Sequence, residues 1–262
     1  MKKLFALILA ALMLFTMAAC GGTADNETTA ADSDLAYIKD KGTLIVGITD
    51  YAPMDFKDEN GEWTGFDAEF ARLAGESLGV AVEFIEIDWD NKFLELKGKT
   101  IDCIWNGMTI TDEALANAAV SNPYVKNAQV VVMAADKLAD YATVESLADL
   151  QFAAEAGSAG EAAINENGLN CTSVLTQADA LQEVKSGAAD ACVIDITMAN
   201  AMTGEGTSYA GLGYSLELTT EEYGIACRQG SDLADAINGI MADLKADGTL
   251  GQLAEKYELT LA

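Results

Sequence analysis

The stretch GMTITDEALAN, Gly107–Asn117, carries an apolar run to its end and turns at once into a helix. Thr111 has the type and place of an N-cap, and Asp112 and Glu113 suit the positive end of a helix dipole. A corner of this kind commonly holds a small ligand, yet its first turn carries no basic side chain. Other short apolar runs end in comparable groups: Asp50–Tyr51, Asp88–Trp89, Glu155–Ser158 and Asp195. Carboxylates, aromatic faces and small hydrogen-bonding groups can line a site for a small polar solute, a cation included. The same residues are poor in catalytic means. The chain has no histidine, and no nucleophile stands beside a visible base. Asp195 or Glu155 could act as an acid or base in principle, which keeps an enzyme as the rival class.

The elements that would position these groups alternate along the chain. Thr43–Thr49 is a short β-rich run ending in a turn. Residues 65–79 place Phe66, Phe70, Leu73 and Ala74 on one helical face and stop at Gly79. Strand, helix and strand follow in VAVEFIEI, NKFLELKGK and TIDCIWNG. Nearly continuous apolar strands separated by helices predict α/β architecture with parallel sheets covered on both faces. Glu95–Gly107 and Glu183–Asp195 match in register, each with an Asp five positions after a Lys and then a strand, which predicts two similar lobes. The C-terminal segment is helical, with Leu233, Ile237, Ile240, Met241 and Leu244 on one face and a break near Gly248. In parallel α/β sheets, ligands bind beyond the carboxyl ends of strands, where the groups named above fall.

Composition narrows the setting. Lys2 and Lys3, an apolar run from Leu4 to Met17, and Ala18–Ala19 before Cys20 describe a secretory signal over 1–19. That run is too short for a bilayer span of roughly 20 residues. Residues 21–33 contain no large apolar side chain and predict a flexible tether. The formal charge of −27 becomes two units more negative once Lys2 and Lys3 are removed. This argues against nucleic acid as a natural partner, because phosphate binding needs Lys and Arg to displace counterions. Cys103, Cys171, Cys192 and Cys227 form no CxxC, so no metal centre and no cofactor are expected, and the sequence pairs none of them.

Seven segments in order resemble the extracytoplasmic solute-binding proteins of polar amino-acid ABC importers. They are GTLIVGITDYAPMDF, NGEWTGFDAEFARLAGESLGV, GKTIDCIWNGMTITDE, SNPYVKNAQVVV, EAGSAGEAAI, GAADACVID and the final YGIACRQGSDLADAINGIMADLKADGTLGQLAEKY. The resemblance implies a periplasmic-binding-protein fold of type II: two lobes, two hinge crossovers and a ligand in the cleft between. Lobe 1 would span 34–125 plus 221–262 and lobe 2 126–220, with hinges near YVKNAQ and SLELTTEE. It further implies an exported monomer, acylated on Cys20, tethered outside a Gram-positive type of membrane by residues 20–33 and serving permease subunits.

For the site, the resemblance implies that Tyr51 and Trp89 sandwich the ligand, although both could instead pack the lobe core. Gly107 and Thr109 would meet it with backbone groups and a hydroxyl, and Asn106 with its amide. Ser158 would offer N–H groups to a carboxylate, and Asp195 would take an α-ammonium. One departure accounts for the missing basic side chain. The family usually has an arginine that clamps the ligand's carboxylate where this chain has Ala114. Arg72 is expected to face solvent and Arg228 to lie far off, leaving Lys126 as the nearby cation. An amino acid or an amino-acid-like amine is therefore expected; the alternatives are an amine lacking a free α-carboxylate, or a dehydratase-type enzyme on the same fold.

Overall fold

The computed structural model describes residues 33–262. The expected signal segment 1–19, Cys20 and most of the tether lie outside the described residues. In chain order the first part contains helix α1 (Asp34–Lys41), β1 (Thr43–Ile48), a hairpin of β2 (Phe56–Lys57) and β3 (Trp63–Thr64), α2 (Phe66–Leu78) and β4 (Ala81–Glu86). Then come α3 (Lys92–Gly98), β5 (Cys103–Ile104), α4 (Asp112–Asn117) and β6 (Ala118–Val120). The middle part contains β7 (Val125–Asn127), β8 (Gln129–Ala134), β9 (Gln151–Glu155), α5 (Ala159–Glu166), β10 (Asn170–Val174), α6 (Gln177–Ser186), β11 (Ala191–Asp195), α7 (Ile196–Met202) and β12 (Leu212–Glu217). The chain closes with β13 (Glu221–Tyr223), β14 (Ala226–Arg228), α8 (Leu233–Ala246) and α9 (Thr249–Lys256).

Two five-stranded sheets result, ordered β4-β1-β5-β14-β6 and β10-β9-β11-β8-β12. The protein thus has the two-lobed α/β architecture that the alternating pattern predicts. The sheets are mixed rather than parallel, which corrects that expectation. β14 runs antiparallel to β5 and β6, and β8 runs antiparallel to β11 and β12. These two reversed strands are the ones that directly follow β13 and β7, the short antiparallel pair linking the lobes. A chain that crosses between lobes enters the new sheet from the linker side, so its first strand there opposes the rest.

The internal repeat has a structural counterpart. β5 and β11 occupy the central place of their sheets. The Asp that precedes each strand makes the same two bonds. Asp102 N donates to Ile45 O at 2.7 Å and Asp102 Oδ2 accepts from Ile45 N at 2.9 Å. Asp190 N donates to Gln151 O at 2.9 Å and Asp190 Oδ2 accepts from Gln151 N at 3.0 Å. Each carboxylate stitches the start of a central strand to its neighbour.

Helix ends follow local chemistry. Thr111, Ser158 and Thr176 cap α4, α5 and α6 through their hydroxyls. Gly79 and Gly187 stop α2 and α6 in the left-handed conformation, while Lys99 does so for α3. The break expected near Gly248 separates α8 from α9. Phe66, Phe70, Trp105 and Tyr124 form a fully buried aromatic group in the first lobe. Cys103, Cys192 and Cys227 are buried, Cys171 is half-buried, and all four are free thiols.

Candidate functional site

A cavity of about 330 Å³ is lined from both sheets' strand ends. All seven residues expected to touch a ligand line it: Tyr51, Trp89, Asn106, Gly107, Thr109, Ser158 and Asp195. Asp195 ends β11 and is 6% exposed. Its Oδ1 accepts from Asn127 Nδ2 and from Gln129 Nε2 at 2.7 Å, and its Oδ2 accepts from Gln177 Nε2 at 2.5 Å. Burial, with repulsion from Glu221, pushes its pKa up to about 7. Asn127 and Gln129 also donate to Glu221 Oε1, at 2.6 and 2.7 Å, so Asp195 and the linker strand β13 share amide donors.

Tyr51 and Trp89 supply rings. The Tyr51 hydroxyl bonds to Thr197 Oγ1, at 2.5 Å, and to Tyr223, which joins the first lobe to α7 directly behind Asp195. Trp89 opens a 3₁₀ turn capped by Asp88 and is 7% exposed. Three residues on stands Lys92, the cation that sequence reasoning missed. Its Nζ lies 4.9 Å from the Trp89 ring centroid and donates to Trp89 O at 3.2 Å and to Gly157 O at 2.9 Å. The last bond crosses from lobe to lobe. Burial lowers its pKa against the pull of Glu113, Glu155 and Asp90. The signal available was a lysine at the first turn of a helix, i+3 from a strand-end Trp, in a chain poor in bases.

The corner at Gly107–Asn117 is more self-satisfied than expected. Asn106 uses its whole amide inside the lobe: Oδ1 accepts from Thr49 N and Oγ1, and Nδ2 donates to Thr49 O and Asp55 Oδ2. The Gly107 N–H donates to Asp67 Oδ2 at 2.6 Å, and Thr109 Oγ1 donates to Glu221 Oε1 at 2.8 Å. Ala114 is buried against the cavity, its N–H held by Thr111 Oγ1 at 3.1 Å. On the opposite side, the Ser158 hydroxyl caps Glu161 N at 3.1 Å, and the Glu161 carboxylate takes Gly157 N–H at 2.9 Å.

The expectations for Lys126 and Arg72 need correcting, whereas that for Arg228 does not. Lys126 is exposed on β7 and lines a different cavity, so it does not serve this site. The pairing of β7 with β13 turns it away. Arg72 is half-buried rather than solvent-facing, its Nη2 donating to Trp63 O at 2.6 Å with Phe84 beneath it at 4.9 Å. Arg228 is remote and paired with Asp34 and Asp102. Among the described residues no cluster of His, Cys, Asp and Glu is arranged for a metal ion.

Residues 44–260 match the profile of bacterial extracellular solute-binding proteins, family 3. The chain belongs to that family. Among the relatives of this solute-binding protein, the L-cystine-binding protein TcyJ of Escherichia coli K12 is 29% identical over 230 residues, covering 85% of each chain. A probable amino-acid ABC transporter-binding protein of Haemophilus influenzae is 31% identical over 253 residues, covering 94% of this chain and 96% of the relative. Among solved structures, a mutant of ArgBP from T. maritima superposes with a TM-score of 0.80 at 34% identity, over 86% of this chain and 98% of the other. The ancestral amino acid-binding protein AncCDT-1, a precursor of cyclohexadienyl dehydratase, gives a TM-score of 0.79 at 34% identity, over 86% of this chain and 99% of that one.

Proposed function

We propose that this solute-binding protein captures a small amino acid or amino-acid-like amine outside the cell and hands it, chemically unchanged, to the permease of an ABC importer. Lobe 1 (34–125 plus 221–262) and lobe 2 (126–220) close on the ligand about β7 and β13, and acylated Cys20 keeps the monomer at the membrane. The observation that carries this reading is Asp195: a buried carboxylate at the cavity, oriented by three amide groups and accompanied by Tyr51 and Trp89. An ammonium group there makes charge-assisted bonds while its apolar body lies against the rings. Lys92 takes the part that the family's arginine plays elsewhere, since it is the cationic side chain lining this cavity.

A second reading, an amine without a carboxylate, has its own support. Lys92 already donates to two carbonyls, and Glu161 occupies the Gly157 N–H. A thermal-shift panel of amino acids, each beside its decarboxylated amine, tests both readings. A specific ligand raises Tm by mass action. Asp195→Ala is expected to abolish the response, because removing one partner of a buried charge pair costs about 2–5 kcal/mol. An undiminished response in Asp195→Ala overturns the assignment; a preference for amines over their parent amino acids selects the second reading. Mass spectrometry of the bound molecule recovers it intact if no chemistry occurs.

A further inference from the structure

Glu155 is a buried carboxylate in the same cavity whose bonding is incomplete. It ends β9 as Asp195 ends β11, and these strands are adjacent and parallel, so both acids leave the same end of the second sheet. Both side chains line the same cavity of about 330 Å³, so the two acids share one small space. Asp195 is surrounded by amide donors, whereas Glu155, 3% exposed, has an Oε1 with no hydrogen-bond partner among the described residues. Lys92 attracts it electrostatically but lies beyond ion-pair distance, its Nζ donating to the carbonyls of Trp89 and Gly157. A buried carboxylate oxygen without a donor is unfavourable unless something else supplies one. Trp89, Phe93 and Ala162 line the cavity as well and offer apolar surface for a ligand's body.

Resting on the reading of Asp195 as an amine receptor, we propose that Glu155 receives a second positive nitrogen, so that the ligand is a small organic dication with its charges joined by a short apolar body. A cation at Asp195 alone would leave Glu155 unpaired beside another acid; a second nitrogen completes both. Basic amino acids and diamines share this chemistry.

Calorimetric titration of the purified protein with matched pairs tests the assignment: L-lysine against L-norleucine, L-arginine against L-citrulline, and cadaverine against n-pentylamine. Each pair differs by one positive charge. The protein should bind the dicationic member of at least one pair ten-fold or more tightly than its partner, and Glu155→Gln should bring that ratio close to one by weakening the dication alone. Should Glu155→Gln fail to fold, Glu155→Met serves the same comparison. An unchanged ratio in the variant overturns the proposal, as does equal binding of both members by the parent protein. In those two outcomes, loss of binding in Asp195→Ala leaves the amine assignment standing; binding of none of the six compounds overturns both.

Discussion

Gly107 sits at the strand-to-helix corner with φ +55°, and a Cβ built there would lie 2.6 Å from Tyr51 Cε1 and 3.1 Å from Tyr223 Cε2. Neither ring can give way, because their hydroxyls bond to each other and to Thr197. Glycine is thus required both for its backbone conformation and for the space beside Tyr51. Gly107→Ala should cost about 2–4 kcal/mol, combining the left-handed penalty with overpacking. Urea unfolding measures that loss, and a change below about 1 kcal/mol would show that the corner relaxes. The glycine was legible in the sequence as a turn beside a site. Its contact with Tyr51, more than fifty positions away, was not. Asn106 makes the same point in reverse: its type suggested an amide for a ligand, but Thr49 and Asp55 absorb it. Hydrogen-bonding capacity is written in the residue, whereas its use depends on which neighbours arrive first.

At the scale of elements, the repeat centred on β5 and β11 explains a local irregularity. Lys99 and Gly187 stand at equivalent places and both end their helices with positive φ, 63° and 79°. A side chain pays for that conformation and glycine does not. Lys99→Gly should therefore stabilise the protein by about 0.5 kcal/mol, offset in part by loss of the Lys99 contact to the Tyr37 ring at 5.4 Å. Gly187→Ala should destabilise it by about 1 kcal/mol. Thermal unfolding of the two variants measures both, and shifts of the opposite sign would mean that the caps are not equivalent. Helices and strands were readable here because burial on one or both faces imposes periods of 3.6 and 2. The reversal of β8 and β14 was hidden, since a strand's composition records its burial and not its direction.

For the whole molecule, the notable electrostatic feature is four buried carboxylates, among the described residues, that no basic side chain pairs with. Burial raises Asp55 and Asp67 behind the corner, and Glu155 and Asp195 at the cavity; Asp67 and Asp195 reach about 7 and Glu155 about 8. In the unfolded chain such groups titrate near 4. Between those limits the folded state holds more protons than the unfolded one, so stability falls as pH rises. Without ligand, Tm should drop from pH 5 to pH 8. Carboxylates with lowered pKa, such as Glu69 and Asp232, act mainly below that window. A cationic ligand favours the ionised forms at the cavity, so its stabilising effect should grow over the same range. A ligand-free Tm that rises between pH 5 and pH 8 would contradict this account of the buried acids.

The sequence by itself determined the α/β alternation, the duplicated helix-to-strand unit, the helix caps and the set of strand-end residues from which a site could be built, because periodic burial and capping chemistry are local. Only the tertiary structure decided which strand reverses, that Lys92 rather than Lys126 enters the cavity, that Asn106 is satisfied within its lobe, and that Glu155 stands beside Asp195 without a donor. Those outcomes depend on groups far apart in the chain competing for the same small volume, and no spacing along the sequence records the result of that competition.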